Sequence, residues 1–412
     1  MDYRAESTYE LTRLPVELAS TLLPDAYRSE AFFAEEQVQV FARGWVPIAA
    51  RSEVGAPGEV VVRTLAGRSV VVTMNEDREY RGFLNVCRHR ASPLVQDDCT
   101  LAAGRFRCPY HAWAYDLDGR CIGTPLFEGS GIPEDMQQAF DMGDVRAFDR
   151  ADYPLFEVTV AAWGPLLLAS LESTPPPLDD WLGDLGDRLA GFALEEWEVQ
   201  ARKDYDIHAN WKLIAENYME YYHLPWVHPE LARVSRIEDH YRYQGPGMYT
   251  GMTTTPISGD DPAWMALPPH AGIAEHNRDV GRFMQLFPTA TISVLPNHCF
   301  LMLMEPISAG RTLERTLLLT HPETMAPDGA GDALERLLGF WDHVNREDIA
   351  IVEGVQRGLS TPEYGGGRMC YRFEEPVHRF HNMVADRMTG LDRVPDGDAE
   401  DHVPMFGDRG SG

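Results

Sequence analysis

Two short Cys/His loops constrain the fold of this chain more than any other feature of its sequence. The first loop is Cys87-x-His89, and the second, which begins after an interval of eighteen residues, is Cys108-x-x-His111. Each loop offers one thiolate and one imidazole, so the two can converge on a single metal centre. They lie in a segment, 43–155, of short β-branched runs separated by Gly, Asp and Asn. This pattern predicts a small antiparallel β domain built around a metal.

Two kinds of metal centre fit this ligand set. Structural zinc is one alternative, because two Cys and two His complete its tetrahedral coordination. Zinc fingers place their Cys pair and their His pair on separate elements, whereas each loop here supplies one of each. That arrangement favours a [2Fe–2S] cluster in which His replaces Cys on one iron, a Rieske centre. Cys99 and Cys121 lie outside the ligand spacing and are interpreted as packing residues.

A second candidate metal site surrounds a helix that we predict to end before Pro225. Asn217, Glu220 and His223 recur every three residues and would share one side of that helix. His228 lies just past its end, where the chain can fold back toward His223. Two imidazoles placed in this way suit Fe(II), which needs one more carboxylate for a facial triad.

Asp348 is the candidate for that carboxylate. It falls on the apolar face of a helix predicted over 332–358, together with Trp341, Val344 and Ile351. A carboxylate on such a face is costly unless it is paired or bound to metal. A structural Asp satisfied by Arg or backbone groups is the alternative, but the two convergent histidines favour a metal ligand.

These motifs together resemble the α subunits of Rieske-type non-haem iron oxygenases. The resemblance spans about residues 30 to 360 and rests on the two Cys/His loops, Asn210-Trp211-Lys212, Glu216-Asn217, Glu220-x-x-His223-x-x-x-x-His228 and Asp348. Two positions depart from the family pattern. Ala91 stands where the family usually has Gly, and Glu220 stands where many members have Asp.

The resemblance agrees with the α+β fold class that the mixture of strand-like and helical segments predicts. It implies an antiparallel β Rieske [2Fe–2S] domain and a larger helix-grip (START-like) catalytic domain with a central antiparallel sheet. An N-terminal helical segment, 1–42, is expected to pack on the catalytic domain, and the Rieske domain follows over 43–155. The catalytic mononuclear iron domain is expected over 156–395, followed by a mobile tail over 396–412.

The resemblance also implies residue roles. The expected cluster ligands are Cys87, His89, Cys108 and His111, and the expected Fe(II) ligands are His223, His228 and Asp348. In the family, a carboxylate bridges the cluster of one subunit and the iron of its neighbour in a ring-shaped homotrimer. Glu220 would therefore connect to His111 of the adjacent chain, with Asn217 as a supporting candidate.

Together the two centres predict an oxidoreductase, a mono- or dioxygenase that uses O₂ and external electrons. The sequence contains neither a Gly-x-Gly-x-x-Gly fingerprint nor plant-type ferredoxin Cys spacing. We therefore expect a separate NAD(P)H-dependent reductase of the flavin or ferredoxin type as partner. The alternatives from other classes are a Rieske electron-transfer protein and a zinc-stabilised binding module.

We expect a quaternary ammonium substrate, with N-methyl hydroxylation releasing a demethylated product and formaldehyde. The betaine, choline and carnitine monooxygenase branch is the part of the family that the chain resembles most. Aromatic residues near the iron motif could also form a cation–π cage: Tyr218, Tyr221, Tyr222, Trp226, Tyr241 and Tyr243. The alternative is ring hydroxylation of an aromatic carboxylate, with Arg282 or Arg315 as candidates to bind the anion.

Composition argues against several other classes of partner. Lys and Arg total 36 against 64 Asp and Glu, and the net charge of −28 would repel nucleic acid. No run approaches the roughly 18 apolar residues of a membrane helix, and the N-terminus lacks the pattern of a secretory signal. We expect a cytoplasmic protein that binds neither nucleic acid nor membrane.

Overall fold

The computed structural model describes residues 1–127, 148–255, 257, 265–398 and 403–405, and it contains two compact units. The smaller unit is Ile48–Pro175, and the larger one combines Met1–Pro47 with Pro176–Gly412. Both are built on sheets of antiparallel strands, and long helices accompany the sheet of the larger unit, so the α+β prediction is confirmed. Within the described residues, no helix combines the length and the apolar character needed to cross a membrane.

The smaller unit is a β structure. Its strands are β1 (Val46–Ala50), β2 (Glu59–Leu65), β3 (Arg68–Met74), β4 (Tyr80–Leu84), β5 (Cys99–Thr100), β6 (Phe106–Arg107), β7 (Ala114–Tyr115), β8 (Cys121–Gly123), β9 (Glu157–Trp163) and β10 (Leu166–Ser170). One sheet has the order β1-β10-β9-β4-β3-β2-β5, and β6, β7 and β8 form a second. Because β9 pairs with β4, this unit continues beyond residue 155, where we placed the domain boundary.

The larger unit is centred on an eight-stranded sheet. Its strands are β11 (Glu198–Ile207), β12 (His240–Tyr243), β13 (Tyr249–Thr254), β14 (Gly281–Leu286), β15 (Ala290–Val294), β16 (Cys299–Ser308), β17 (Arg311–Thr320) and β18 (Val403–Pro404). They follow the order β11-β17-β16-β15-β14-β13-β12-β18. Alternate residues of a strand face the same side, so Phe300 and Met302 of β16 share a core with Leu318 of β17.

Helices cover this sheet. They are α1 (Asp25–Arg28), α2 (Glu30–Gln39), α3 (Leu178–Leu182), α4 (Leu185–Arg188), α5 (Trp211–Tyr218), α6 (Leu224–Val227), α7 (Leu231–Val234), α8 (Ala330–Gly358) and α9 (Tyr371–Thr389). The helix predicted over 332–358 is confirmed as α8, which contacts α5 and β11. Leu337 and Trp341 of α8 pack into the core above β16 and β17.

The helix predicted to end before Pro225 is wrong in its extent. Helix α5 ends at Tyr218, and Pro225 lies in the first turn of α6. Proline is tolerated there because the first turn needs no N–H donor. Glu220 and His223 therefore do not share one side of a helix with Asn217, and they reach the site from the connection between α5 and α6.

The N-terminal segment and the described residues of the C-terminal tail belong to the larger unit. In the N-terminal segment, Glu36 of α2 and Lys212 of α5 form an ion pair of 2.5 Å with no solvent exposure. The tail that we predicted to be mobile, 396–412, falls largely outside the described residues. In its described part, Asp398 pairs with Arg242 at 2.7 Å, and β18 pairs with β12.

Candidate active site and metal centres

The two Cys/His loops of the smaller unit share one backbone design. In each loop the Cys N–H donates to the carbonyl five residues later at 2.8 Å, and the Cys carbonyl accepts from the N–H four residues later at 3.0 Å. That fourth residue is Ala91 in one loop and Ala112 in the other, with φ of 57° and 58°. Left-handed backbone costs a residue with a Cβ about 1–2 kcal/mol. This explains why glycine is expected at Ala91.

The predicted cluster ligands lie close together in the smaller unit, the two cysteines in its core and the two histidines partly exposed. Cys87 and Cys108 are buried free thiols in one core cluster. The rings of His89 and His111 lie 4.6 Å apart, and His89 stacks on Trp113 at 5.0 Å. Cys121 packs against this cluster of hydrophobic core residues, whereas Cys99 is exposed on β5.

These residues fit a bound metal cluster on chemical grounds. Nδ1 of His89 is buried without a hydrogen-bond partner, and a metal would satisfy this nitrogen by taking its lone pair. Burial, together with the nearby His111, lowers the pKa of His89, so the ring is neutral as a ligand must be. Burial also raises the pKa of Cys87, so a thiolate at this position requires a positive centre to balance it.

Tyr115 is a residue that the sequence analysis missed. Its hydroxyl hydrogen-bonds the sulfur of Cys87 at 3.3 Å and accepts from the N–H of Arg88 at 3.0 Å. Because the backbone N–H already occupies the oxygen as an acceptor, we assign the hydroxyl proton to the sulfur. The only available signal was its place four residues after His111, in the strand that follows the second loop.

In the larger unit, His223 and His228 flank the single turn of α6, and Asp348 comes from α8. The imidazole rings lie 5.2 Å apart with an angle of 76° between them. Oδ1 of Asp348 is 2.8 Å from Nε2 of His228 and 3.6 Å from Nε2 of His223. One ligand atom from each residue lies within 4.8 Å of the other two. This is the donor set of a two-His, one-carboxylate iron site.

Two glutamates orient these imidazoles. Nδ1 of His223 contacts Oε1 of Glu220 at 2.5 Å, and Nδ1 of His228 contacts Oε2 of Glu347 at 2.7 Å. A carboxylate only accepts, so each Nδ1 carries a proton. Nε2 of His228 also faces a carboxylate, Asp348, so the two Nε2 atoms would be unprotonated when a metal is held between them and Asp348. Glu347 was also missed from sequence, although it directly precedes Asp348.

The three predicted iron ligands line a largely apolar cavity. Its other lining residues are Ile207, Ile214, Asn217, Tyr218, Glu220, Tyr221, Leu224, Leu231, Ser235, His240, Met252, Phe283, Ser293, Phe300, Met302, Glu314, Trp341, Val344, Asn345, Ile349 and Val352. All lie in the larger unit, on α5 to α8, on the connections between and after these helices, and on the sheet. No Lys or Arg belongs to this described lining.

The structure corrects two predictions about substrate-binding residues. Of the six aromatic residues proposed as a cage, Tyr218 and Tyr221 line the cavity, whereas Tyr222 and Trp226 are 52% and 80% exposed. Tyr241 and Tyr243 are absent from the lining, and aromatic side chains that were not predicted contribute instead: Phe283, Phe300 and Trp341.

The two arginines proposed to bind an anion do not line the cavity. Arg315 lies 3.7 Å from Asp204 of β11. Arg315 directly follows Glu314 in β17, so the two side chains point to opposite faces of the sheet. Arg282 of β14 is likewise absent from the lining.

A second group of metal-binding side chain types, His270, His321 and Glu323, lies elsewhere in the larger unit. The two rings stack face to face at 4.3 Å. Nε2 of His321 already contacts Glu196 at 3.2 Å, and its Nδ1 accepts from the N–H of Glu323 at 3.2 Å. Both ring nitrogens of His321 are thus engaged outside the group's own side chains, whereas Nε2 of His270 is buried without a hydrogen-bond partner.

Each of the two units contains a segment that matches a known protein family. Residues 44–137 match the Rieske [2Fe-2S] domain, and residues 194–390 match the catalytic domain of the ring hydroxylating alpha subunit. The chain belongs to the Rieske-type non-haem iron oxygenases. It is accordingly an oxidoreductase, and its cofactors are a Rieske [2Fe–2S] cluster and a mononuclear iron.

Relatives within the Rieske oxygenases include enzymes that act on quaternary ammonium compounds. The chain is 29% identical to the glycine betaine monooxygenase oxygenase subunit of Chromohalobacter salexigens, over 88% of this chain and 84% of the relative. It is 26% identical to the chloroplastic choline monooxygenase of Atriplex hortensis, over 89% and 78%. A solved quaternary ammonium Rieske monooxygenase, described for carnitine oxidation and inter-subunit electron transfer, has a TM-score of 0.76 at 23% identity, covering 93% of this chain and 98% of its own.

Proposed function

We propose that this chain is the terminal oxygenase of a system that demethylates a small quaternary ammonium compound. Electrons would come from a separate NAD(P)H-dependent reductase. The observation that carries the proposal is the cavity beside His223, His228 and Asp348, whose described lining has aromatic faces and no Lys or Arg. Aromatic faces stabilise quaternary ammonium through cation–π contacts. The betaine and choline monooxygenases among the relatives support the same substrate class.

We assign the cluster to the two Cys/His loops and the iron to the facial triad, at Cys87, His89, Cys108, His111, His223, His228 and Asp348. When bound, the two groups supply single electrons and O₂ activation. The protein holds the imidazoles of His223 and His228 through Glu220 and Glu347, and its apolar walls exclude water. Asn217, which lines the cavity, is proposed to support the substrate.

The proposed reaction balances with one O₂ and two electrons. One oxygen atom is inserted into a methyl C–H bond, and the other leaves as water after taking up the two electrons and two protons. The carbinol then loses its hydroxyl proton, and its C–N bond breaks with the electron pair going to nitrogen. Formaldehyde and a tertiary amine are released.

We further propose a homotrimer in which Glu220 connects the iron site of one subunit to His111 of the next. Inter-subunit electron transfer in the solved relative supports this arrangement. Within its own subunit Glu220 contacts both the N–H and Nδ1 of His223, so it also touches the ligand through which an electron would arrive. Glu220→Gln keeps an acceptor oxygen for His223, and we expect it to retain both cofactors while slowing reoxidation of the reduced cluster by O₂ and substrate.

Metal content and product analysis test the proposed function. Anaerobically purified protein should hold three irons per chain, show a Rieske EPR signal after dithionite reduction, and lose one iron in Asp348→Ala. Glycine betaine or choline supplied with a reductase should yield formaldehyde, whereas benzoate should not be hydroxylated. Two irons that are unaffected by the substitution would indicate an electron-transfer protein. Activity confined to aromatic acids would overturn the substrate class.

A further inference from the structure

Glu314 is a cavity-lining carboxylate that the proposed function does not yet use. It lies on β17 opposite Met304 of β16 and has no solvent exposure. Its Oε1 accepts a hydrogen bond from Nδ2 of Asn345 at 2.7 Å, whereas its Oε2 is buried without any partner. No ion pair to Glu314 is present among the residues that the structure describes. The same sheet face carries the apolar side chains of Phe300 and Met302.

An acidic side chain in this setting is costly for the folded protein. A buried carboxylate that lacks a full set of partners pays a desolvation penalty that a cation or a proton must offset. Burial, with an added contribution from the charge of Asp348, raises the pKa of Glu314 to about 7. The iron proposed for this cavity is assigned to His223, His228 and Asp348, and the described lining contains no Lys or Arg to pair with Oε2 of Glu314, so a further cation beside that oxygen is favoured.

The position of Glu314 relative to the proposed iron ligands is suited to a methylammonium substrate. Its partner Asn345 precedes Asp348 by three residues on α8, which is about 4.5 Å along a helix axis. In a quaternary ammonium compound, the C–H bond to be hydroxylated belongs to a carbon attached directly to the charged nitrogen. A methyl group placed at the iron site thus brings the cationic nitrogen close to the wall that contains Glu314.

We propose that Glu314, held by Asn345, is the counter-ion of the substrate's quaternary nitrogen and the main determinant of selectivity for a cation over a neutral molecule of the same shape. This inference rests on the proposed function, because it presumes a quaternary ammonium substrate. The surrounding aromatic side chains of Tyr218, Phe283 and Trp341 select for shape and apolar surface. Glu314 adds the charge on which discrimination between isosteres depends.

A pair of isosteric probes tests this assignment. The two probes are choline and 3,3-dimethylbutan-1-ol, a neutral alcohol in which carbon replaces the charged nitrogen of choline. Their binding to the iron-loaded protein can be measured by anaerobic calorimetry. The variant is Glu314→Gln, which keeps size and one acceptor oxygen. The matched control is Glu305→Gln on the neighbouring strand β16, which removes the same charge outside the cavity lining.

We expect Glu314→Gln to weaken choline binding on the order of 10- to 100-fold while leaving the neutral alcohol unaffected, since only the charged ligand loses a buried partner. Glu305→Gln should change neither affinity. If Glu314→Gln binds choline as well as the parent protein does, the counter-ion role is wrong while the proposed function stands. An equal loss for both probes would assign Glu314 to packing instead. A parent protein that binds neither choline nor glycine betaine would overturn the proposed substrate class.

A second variant covers the case in which Glu314→Gln does not fold. Glu314→Asp keeps the charge but withdraws it by one methylene and breaks the contact with Asn345. A counter-ion predicts a smaller loss of choline affinity than for Gln and no change for the alcohol. Unchanged choline affinity in this variant would contradict a counter-ion that depends on its position.

Discussion

Glu347 contacts Nδ1 of His228 at 2.7 Å, while Nε2 of the same ring lies 2.8 Å from Asp348, the next residue in the chain. Two consecutive acidic residues of α8 therefore take the two nitrogens of one imidazole. Glu220 contacts Nδ1 of His223 as Glu347 contacts Nδ1 of His228. With iron held at the Nε2 atoms, Glu220 and Glu347 keep the proton of each ring on Nδ1, so iron affinity is expected to depend on residues that do not themselves bind iron.

Replacement of Glu347 by Ala should weaken Fe(II) binding about 10- to 100-fold, because His228 loses the acceptor that fixes its tautomer and ring orientation. Glu347→Gln should lose less, since its amide oxygen can still accept the proton. Iron affinity can be measured by anaerobic titration of the iron-depleted protein. Glu335→Gln, an exposed position on the same helix, is the control. Equal affinity of Glu347→Ala and the parent would show that the contact does not position His228.

Tyr115→Phe should lower the reduction potential of the Rieske cluster. The hydroxyl hydrogen-bonds the sulfur of Cys87, and such a bond stabilises the extra negative charge of the reduced state. Its loss is expected to shift the midpoint by tens of millivolts, about the energy of one hydrogen bond. Redox titration followed by EPR measures the shift, with Tyr80→Phe on β4 as control. An unchanged midpoint would mean that the hydroxyl proton is directed elsewhere.

Removing one charge of the buried ion pair between Glu36 and Lys212 should destabilise the protein more than removing both. Lys212→Met leaves an uncompensated carboxylate in a site without solvent exposure, which we expect to reduce the free energy of unfolding by about 3–5 kcal/mol. The double variant Glu36→Leu/Lys212→Met should recover most of that loss, since two apolar side chains replace both charges. Urea denaturation followed by circular dichroism compares them. A double variant as unstable as the single one would indicate a further role for Glu36.

The free energy of unfolding should decrease at acidic pH, and protonation of His298 should contribute to the decrease. This ring has no solvent exposure, and burial lowers its pKa from 6.5 to about 3. Its Nδ1 contacts the carboxamide oxygen of Asn297 and its Nε2 accepts from the indole of Trp341, so a second proton would remove that acceptor. Between pH 6.5 and about 3 the unfolded chain binds more protons at this residue than the folded chain does.

The free energy of unfolding is therefore expected to drop as the pH falls through that window, by up to about 1.4 kcal/mol per pH unit for this one residue. Other groups titrate in the same range, so the measurement is the difference between the parent and His298→Gln in denaturation at pH 7 and pH 5. The variant should lose less stability than the parent over that interval. Equal losses would show that His298 does not contribute.

Local motifs were sufficient to predict the two metal centres and the fold class. Cys87, His89, Cys108 and His111 lie on two short loops, so their spacing in the chain already restricts where their side chains can meet. The pattern of α8 likewise follows from helical periodicity, because one apolar face must be buried against the sheet. The two Cys/His loops and the apolar face of α8 depend on residues close together in sequence, where covalent geometry limits the possibilities, whereas Asp348 joins His228 from 120 residues away.

Wherever distant segments meet, the sequence alone was not enough. It placed Pro225 at the end of a helix, although the proline lies in the first turn of a new one, and it selected aromatic residues by their nearness to the iron motif. Glu314 reaches the cavity because β17 pairs with β16, and Glu347 of α8 meets His228 from 119 residues away in the chain. The sequence by itself determined which chemical groups the protein has and how the local elements form. Only the tertiary structure decided which groups share a low-dielectric cavity, because burial and pairing energies depend on packing between segments far apart in the chain.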